Sequence, residues 1–462
     1  GPVDLSPDEA HYWEWSRRLG LSYYSKGPAI AYLIAFTTRL MGDTVFAVRF
    51  FAPILLAFCS VIIYKLALEL FQSQKSAAAA AISFQIIPLF AAYGVLMTID
   101  SPFIFFWTLS LYLFWKAVKD SDKLQACLSG RQVASDKLNK KNSSPTPHHS
   151  SLVSRYWVLL GITIGLGLLT KYTMVFFYVC AFLFFIFNKE QRLWLKRKEP
   201  YIAFIVSIIV FSPVIIWNIQ HDWVTLKHTA GQAHIGGQWS VVSIQRLKDF
   251  FEFIGSQIGV LTPLLFFSVI YGAIKSRVIS ADKNSSLVTC LPDRQARHLP
   301  TGQAGSSRFL FWFWFPVLVF FLLKSLHGKV QANWAMFAYV TAIIASADFF
   351  LEKQTIKKGM KIFLSISLIT AFLVTIISHY PQALNLPVKQ DPTSRLKGWR
   401  EIGIKTGEVY NNMISTGSKK VFVFSDKYQV SSELAFYVPD KPATYCVNLG
   451  SRMNQYDIWG GF

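Results

Sequence analysis

The sequence has 462 residues, of which 52% are hydrophobic and only 16% are charged, and its mean hydropathy is +0.35. Soluble domains carry about 25% charged residues. The composition therefore excludes a soluble globular protein and an intrinsically disordered chain, and it indicates an integral membrane protein.

Apolar blocks of spanning length, or close to it, recur along the chain without an even alternation of apolar and polar residues, which favours helices over a β-barrel. We predict an α-helical polytopic membrane protein. We divide the apolar run 156–188 at Lys171, because its length exceeds one bilayer. The ten predicted spans lie near 45–70, 77–97, 101–118, 156–170, 172–188, 201–217, 255–275, 309–324, 332–348 and 361–379.

The charges of the connecting loops predict the sidedness. One set of loops holds 23 Lys and Arg residues and 8 acidic residues. The alternate set holds 8 Lys and Arg residues and 8 acidic residues. Basic loops face the cytoplasm. This places both ends of the chain outside and explains most of the net charge of +20 as membrane anchoring. We expect no nucleic-acid partner.

The predicted transmembrane domain covers residues 1–379, with outer loops at 1–44 and 218–254. Because residue 1 already lies outside with no span before it, we expect one more N-terminal span in the whole protein. Two cytoplasmic loops, 138–151 and 284–307, are polar and look flexible.

The C-terminal part, 380–462, has the composition of a soluble domain. KVFVFS (420–425) predicts a strand, VSSELAFYV (430–438) a short helix and ATYCV (443–447) a second strand. We expect a small outer α/β domain, and we expect it to be incomplete in this chain.

The first outer segment predicts two short helices. Ser6 and Glu9 have the spacing of a capping box around Pro7, which starts a helix to about Arg18. Pro28 opens a mainly apolar second helix to about Leu40 that could lie on the membrane. Capping explains Glu9, whereas Asp8 is favourable there but not required. Lys26 could be an interfacial lysine or could bind a ligand.

Other ionisable residues recur at the outer side. Asp100 stands in MTIDSP, where Ser101 can cap the following helix and leave the acid spare. Lys171 stands at the outer turn between two short spans, and a lysine at that depth is a functional candidate. Carboxylates can take a proton from a hydroxyl, and lysines can neutralise a phosphate. The set therefore suits chemistry on a phosphate attached to a lipid.

Several segments resemble bacterial membrane glycosyltransferases of the GT-C superfamily, the group of the dolichyl-phosphate-mannose–protein mannosyltransferases and the lipid A aminoarabinose transferase. The resemblance covers nearly the whole chain apart from the two polar loops. It is carried by SPDEAHYWEWSRRLGLSYYSKGPAIAYLIA, MTIDSPFIFFW, GLGLLTKYTM, VIIWNIQHDW, QANWAMFAY, SDKYQVSSELAFYVPDKP and SRMNQYDIW.

The resemblance implies roles for particular residues. Asp8 matches the proposed general base, Glu9 would orient it or hold an ion, and Asp100 matches a second acid of the same cleft. Lys26 matches the lysine of a lysine-proline motif that would contact the donor phosphate, although the motif reads KGP here instead of KPP. Lys171 and, more weakly, Lys329 would also meet that phosphate.

The resemblance also implies an acceptor cleft and leaves the cofactor open. Tyr24, His221 and Asp222 are expected at the acceptor side. Relatives differ in their need for a divalent metal, so Mg²⁺ or Mn²⁺ stays open and no other cofactor is expected.

We interpret the chain as an inverting glycosyltransferase in a bacterial inner membrane, with its active site facing the periplasm. Its partners would be a polyprenyl-phosphate-linked sugar donor and a lipid, glycan or protein acceptor. The alternative is a lipid or sugar transporter or flippase without transfer chemistry, which would favour ionisable groups at mid-membrane and repeated halves.

Overall fold

A computed structural model of the chain describes residues 3–135, 147–233, 244–290, 302–352, 356–380, 391, 393–418, 420–450 and 452–460. Side chains are described for all of these except 120–135, 147–154, 232–233, 279–290, 302–304 and 352. The predicted polar loops at 138–151 and 284–307 lie partly outside the described residues, and their described parts are helical.

Helices make up most of the described chain. The first seven are α1 (Pro7–Arg17), α2 (Ala29–Met41), α3 (Val45–Arg49), α4 (Phe51–Phe71), α5 (Gln74–Ile86), α6 (Pro88–Tyr93) and α7 (Asp100–Ser135). They are followed by α8 (Pro147–Thr170), α9 (Phe176–Phe187), α10 (Glu199–Gln220), α11 (Val224–Ala233), α12 (Ile244–Leu261), α13 (Pro263–Cys290), α14 (Gly302–Ser325), α15 (Ala338–Glu352) and α16 (Lys358–His379). Short 3₁₀ helices occupy Tyr172–Val175, Lys189–Lys196, Ala332–Ala335 and Ser394–Leu396.

Several of these helices can cross a bilayer. By length and composition, five described segments qualify: Val45–Phe71, Asp100–Lys119, Glu199–Gln220, Gly305–Ser325 and Lys358–His379. A sixth would be the pair α12 and α13, which is bent by 95° between Leu261 and Pro263. Four shorter apolar helices accompany them: Ala29–Met41, Arg155–Thr170, Tyr172–Phe187 and Ala338–Leu351. The chain is a multi-pass membrane protein.

The predicted span near 77–97 is divided in the structure. Helix α5 ends at Ile86, and α6 begins at Pro88. Ile87 adopts an extended conformation with ψ 123°, as the residue before a proline prefers to do, because the proline ring disfavours the helical region there. The apolar run is therefore two short helices rather than one straight span.

An aromatic core joins helices α7, α9 and α14 to the segment before α15. The Trp107 ring lies 5.4 Å from Phe177, 6.2 Å from Phe313 and 4.5 Å from Phe337 between centroids. These rings come from α7, α9, α14 and the segment before α15. Asp100 begins α7 about two turns before Trp107, so this core lies close to the polar residues of interest.

The C-terminal part contains the predicted elements. They are α17 (Trp399–Ser415), β1 (Val423–Ser425), α18 (Tyr428–Tyr437), β2 (Thr444–Cys446) and α19 (Gln455–Trp459), and the strands pair in parallel. Its helix α18 packs against α1, and Ala435 and Phe436 share one buried cluster with Leu5 and Trp13. The C-terminal part and the first outer segment therefore form one packed unit.

Candidate active site

Helix α1 presents Asp8 to a cleft. Ser6 and Glu9 form the predicted capping box, in which the Ser6 hydroxyl accepts from the Glu9 N–H and the Glu9 carboxylate accepts from the Ser6 N–H. The cap directs Glu9 inward and leaves Asp8 accessible from a cavity of about 170 Å³. We call this cavity the cleft. It is lined by Asp8, His11, Tyr12, Trp15, Tyr24, Ser25, Lys26, His228, Gln331, Trp334, Tyr428, Arg452, Met453, Asn454 and Gln455.

The surroundings of Asp8 favour a proton on its carboxyl. Desolvation by the surrounding protein raises its pKa above the usual 3.8. The nearby Asp100 and Glu9 raise it further, whereas Lys26 opposes them. A carboxylate with a raised pKa is a stronger base than a free aspartate.

Lys26 approaches the same cleft from the loop between α1 and α2. The Lys26 carbonyl accepts from the Tyr23 N–H at 3.1 Å, which closes a tight turn. The half-buried ammonium has its pKa lowered to about 8 by burial and by the positive charge of Lys171, while Asp100 and Asp8 act in the opposite direction. The four predicted residues Asp8, Lys26, Asp100 and Lys171 therefore interact within one region.

Gly27 explains why this loop departs from the lysine-proline motif. A Cβ atom at Gly27 would lie 2.2 Å from the carbonyl oxygen of Leu169, so no larger residue fits without displacement. Leu169 is two residues before Lys171. The close backbone approach thus brings the Lys26 loop against the turn that carries the second lysine.

Lys171 and Asp100 form a buried ion pair. The Lys171 Nζ donates to Asp100 Oδ1 at 2.6 Å, and the Asn333 amide donates to Asp100 Oδ2 at 2.8 Å. Both charged side chains are almost fully buried. The predicted cap at Ser101 was wrong: its hydroxyl donates to the carbonyls of Tyr93 and Leu96, and the helix begins at Asp100 itself.

Glu9 lies behind the cleft and does not line it. Its carboxylate accepts from Arg49 Nε at 2.8 Å and Arg49 Nη2 at 2.7 Å, and also from the backbone N–H groups of Met97 and Ser6, each at 2.9 Å. Met97 is three residues before Asp100. Glu9 therefore ties the helix of Asp8 to the loop that leads to Asp100.

A second cavity of about 670 Å³ adjoins the cleft. We call it the outer chamber. It shares Tyr24, His228, Gln331, Trp334 and Arg452 with the cleft. Its other lining residues are Val224, Lys227, Gly231 and Lys329.

The residues expected at the acceptor side have separate positions. Tyr24, expected at the acceptor side, lines both cavities, whereas Lys329, expected at the donor phosphate, lines the outer chamber and forms an exposed ion pair with Glu252. His221 stacks on Trp217 with ring centroids 3.9 Å apart, and its Nδ1 contacts the Trp217 carbonyl. Neither His221 nor Asp222 lines the cleft or the outer chamber.

Sequence reasoning did not single out Arg452 or Gln455. The Tyr24 N–H donates to the buried Gln455 side chain at 2.6 Å, so the C-terminal part holds the loop of Lys26. His11 was also missed. Its Nδ1 contacts the Ser432 hydroxyl at 2.9 Å, and burial lowers its pKa to about 3, so it is neutral. The segment SRMNQYDIW, which carried the resemblance, was the available signal for Arg452 and Gln455.

Two of the three predicted carboxylates are already engaged by protein donors. Both Asp100 oxygens and both Glu9 oxygens accept hydrogen bonds from N–H donors, whereas Asp8 lines the cleft. Mg²⁺ is commonly held by one or two carboxylates together with substrate phosphates, so Asp8 is the predicted carboxylate that would hold it beside a donor phosphate. Within the described ranges, three or more His, Cys, Asp or Glu side chains do not gather as metal ligands.

Comparisons with known proteins find similarity to glycosyltransferases. Residues 25–135 and 149–217 match the model of the family described as dolichyl-phosphate-mannose-protein mannosyltransferase. The chain is 26% identical over 404 residues to the lipid A galacturonosyltransferase RgtD of Rhizobium johnstonii, which covers 87% of this chain and 72% of the relative. It is 27% identical over 177 residues to the undecaprenyl phosphate-α-4-amino-4-deoxy-L-arabinose arabinosyl transferase of Pseudomonas aeruginosa, covering 36% of this chain and 27% of that protein.

Solved structures show the same fold. ArnT from Cupriavidus metallidurans in the apo state has a TM-score of 0.59 at 11% identity and covers 99% of this chain and 83% of its own. The same protein bound to undecaprenyl phosphate has a TM-score of 0.61 at 12% identity, with 97% and 83% covered. The mostly helical ArnT-like fold is therefore established for this chain.

Replacement of Gly27 tests the close approach of the two lysine-bearing segments. We expect Gly27→Ala to destabilise the protein by about 1–3 kcal/mol, because the added Cβ overlaps the Leu169 carbonyl. Thermal unfolding of the purified protein measures this. Gly255→Ala is the matched control, since a Cβ there meets no atom within 4 Å. Equal unfolding temperatures for wild type and Gly27→Ala would contradict the described contact.

Replacement of Arg49 tests whether the Glu9–Arg49 ion pair stabilises the position of α1. Arg49→Met leaves the Glu9 carboxylate buried without its charge partner, and breaking such a pair costs about 3–5 kcal/mol. Denaturant unfolding should therefore show a large loss of stability. The exposed Arg39 on α2 provides the control Arg39→Met. A loss no larger than that of the control would show that the Glu9–Arg49 pair does not support the helix.

Proposed function

We propose that this chain is a GT-C membrane glycosyltransferase and that it transfers a monosaccharide from a polyprenyl-phosphate carrier to lipid A or another envelope acceptor. Its galacturonosyl- and aminoarabinosyltransferase relatives support this proposal. The observation that carries it is the cleft, where an accessible carboxylate, Asp8, lies beside the ammonium of Lys26 and near the Lys171–Asp100 pair. We also propose that the membrane is the bacterial inner membrane and that the cleft faces the periplasm, as the loop charges indicate.

Asp8 is proposed as the general base. Its carboxylate takes the proton of the acceptor hydroxyl, and the resulting oxygen nucleophile attacks the anomeric carbon of the donor sugar. The bond between that carbon and the phosphate oxygen breaks on the opposite side, so the configuration inverts. The polyprenyl phosphate leaves with the bonding electrons, and the proton stays on Asp8 until solvent removes it.

Lys26 and Lys171 are proposed to stabilise the leaving phosphate. Negative charge grows on the phosphate oxygens as the glycosidic bond breaks, and fixed ammonium groups stabilise that charge without reorganisation. Asp100 accepts from Lys171 and Asn333 through its two oxygens. We therefore assign Asp100 to positioning the lysine, and Glu9 to positioning α1 through Arg49 and the Met97 backbone.

The position of the site residues beside apolar helices also suits a lipid-linked donor. Asp100 begins α7 and Lys171 follows α8, so a lipid phosphate at the membrane surface would meet the ends of two apolar helices. A transporter would instead need ionisable groups along a path through the bilayer. The transporter alternative does not account for an accessible acid beside two lysines at one face.

Replacement of Asp8 tests the proposed base. Asp8→Asn removes the proton acceptor but keeps the size of the side chain, and we expect transfer to fall about 10²–10⁴-fold. Mass spectrometry of lipid A and other envelope glycans from cells that express each variant measures the product. The control is Asp426→Asn, an exposed acid of the C-terminal part. Full transfer by Asp8→Asn would refute the role of Asp8.

The pH dependence of transfer tests the proposed charge states of Asp8 and Lys26. Activity needs Asp8 ionised and Lys26 protonated. The rate should therefore rise with pH through the pKa of Asp8, which is raised above 3.8, and fall as pH passes the Lys26 pKa of about 8. The measurement is kcat/KM against pH with the donor identified by mass spectrometry.

The variant Lys26→Arg separates the two limbs of the profile. An arginine stays protonated above pH 12, so the alkaline fall should disappear while the acidic limb remains. An unchanged alkaline fall in Lys26→Arg would show that another group is responsible for it.

A further inference from the structure

We infer that a groove between α8, α9 and α10 binds an acyl chain of an anionic phospholipid, and that Lys196, Arg197 and Lys198 bind the phosphate of its headgroup. We call this cavity the lipid groove. It lies at the end of the helix bundle remote from the cleft, and it shares no lining residue with the cleft or the outer chamber. The inference therefore goes beyond the proposed transfer and does not depend on it.

The lipid groove is concave and apolar. Its volume is about 480 Å³, which is within the range of about 300–1,000 Å³ for small-molecule sites. Trp157, Phe185 and Ala203 line it as buried side chains, whereas Phe182 and Phe204 are 54% and 46% exposed. Charged side chains are absent from the described residues that line it. A groove of this kind, open to the outside of the bundle, suits a hydrocarbon chain.

The position of the lipid groove separates it from the cleft. Helix α8 ends at Thr170, beside Lys171, and Trp157 precedes that end by roughly 20 Å along the helix axis. The groove also borders the 3₁₀ helix Lys189–Lys196, which follows α9. The segment 189–198 holds five Lys and Arg residues and one acidic residue. Such a segment is typical of the cytoplasmic side, so the ligand would come from the cytoplasmic leaflet.

Three consecutive cations stand beside the opening of the lipid groove. Lys196, Arg197 and Lys198 immediately precede the start of α10, where Tyr201 lines the groove. Within the described ranges, none of the three forms an ion pair with a carboxylate. The Arg197 guanidinium lies 4.9 Å from the ring centroid of Trp194, which is itself a lining residue. A phosphate is the group that three adjacent unneutralised cations favour.

Contacts within the protein hold this basic segment against the lipid groove. The Tyr201 hydroxyl donates to the Leu195 carbonyl at 2.7 Å, which ties the segment to α10. The Trp194 ring lies 5.0 Å from the Trp157 ring between centroids. The headgroup cations and the apolar side chains are therefore parts of one site.

Trp157 adds an unpaired hydrogen-bond donor to the lipid groove. Its side chain is 2% exposed, and its Nε1 has no acceptor among the described residues. Buried donors are normally paired. The ester carbonyls of a phospholipid lie between the headgroup and the acyl chains, so a lipid that enters the groove brings acceptors to the indole N–H.

The observations favour a phospholipid over the isoprenoid tail of the sugar donor. The donor phosphate is proposed to meet Lys26 and Lys171, so only the tail of the donor would extend toward the lipid groove. An isoprenoid tail carries no phosphate for the cations beside the groove and no ester carbonyl for Trp157. A phospholipid supplies both.

Photolabelling of the full chain in phosphatidylcholine nanodiscs tests this inference. The two probes are a phosphatidylglycerol and a phosphatidylcholine that carry the same diazirine on one acyl chain, and mass spectrometry of peptides locates the label. We expect the anionic probe to label 177–185 and 200–204 about 10-fold more than the neutral probe. The reason is that each of three juxtamembrane cations contributes a several-fold preference for an anionic lipid.

The variant Lys196→Gln/Arg197→Gln/Lys198→Gln should reduce labelling by the anionic probe to the level of the neutral probe. Its control is Arg400→Gln/Lys420→Gln/Lys427→Gln, which removes the same charges from exposed positions of the C-terminal part and should keep the preference. Unlabelled undecaprenyl phosphate at equal concentration should leave the labelling of the lipid groove unchanged.

Three results would overturn the inference. Equal labelling of the lipid groove by both probes in the wild type would show that it holds only unselected boundary lipid. A preference retained by the triple variant would show that the three cations do not bind the headgroup. Displacement of the anionic probe by undecaprenyl phosphate would assign the groove to the isoprenoid tail instead.

Discussion

The ion pair between Lys171 and Asp100 is the interaction on which the site depends. An isolated charge inside an apolar helix bundle is costly, and removal of one partner from a buried pair costs about 3–5 kcal/mol. Lys171 follows α8, and Asp100 begins α7, so the pair joins the ends of two consecutive helices across 71 positions of the chain. Asn333 occupies the second Asp100 oxygen and joins the segment before α15 to them.

Asp8, the proposed general base, is held in place by the contacts of its neighbour Glu9. Glu9 binds Arg49 and the Met97 N–H, which connects α1 to α4 through α3 and to the loop before α7. On its other side α1 packs against α18 of the C-terminal part. Two neighbouring carboxylates thus have different positions: Glu9 is saturated by donors inside the protein, whereas Asp8 remains open to the cleft. The capping box produces this difference, because it turns the third helical residue back toward the N-cap.

The C-terminal part takes part in the site instead of forming a separate unit. Gln455 binds the backbone of the loop that carries Lys26, and Arg452 lines both cavities. His11 and Ser432 link α1 to α18 by a hydrogen bond between buried side chains. These contacts join residues more than 400 positions apart, and no local pattern in the sequence could predict them.

Composition, capping and loop charge were sufficient to determine the class of the protein, the start of α1, the Pro28-led helix α2 and the strand-helix-strand order of the C-terminal part. These features depend on the local conformational preferences of the residues and on the free energy of burying apolar residues. Both can be read from the order of residues in the sequence. The tertiary structure alone decided that Asp8 and Glu9 diverge, that Gly27 must be small to approach Leu169, and that His221 and Asp222 stay away from both cavities. These features depend on which distant segments come into contact. The hydrogen bonds of a side chain, the charges near it and its access to a cavity are all set by residues that are close in space but not in sequence.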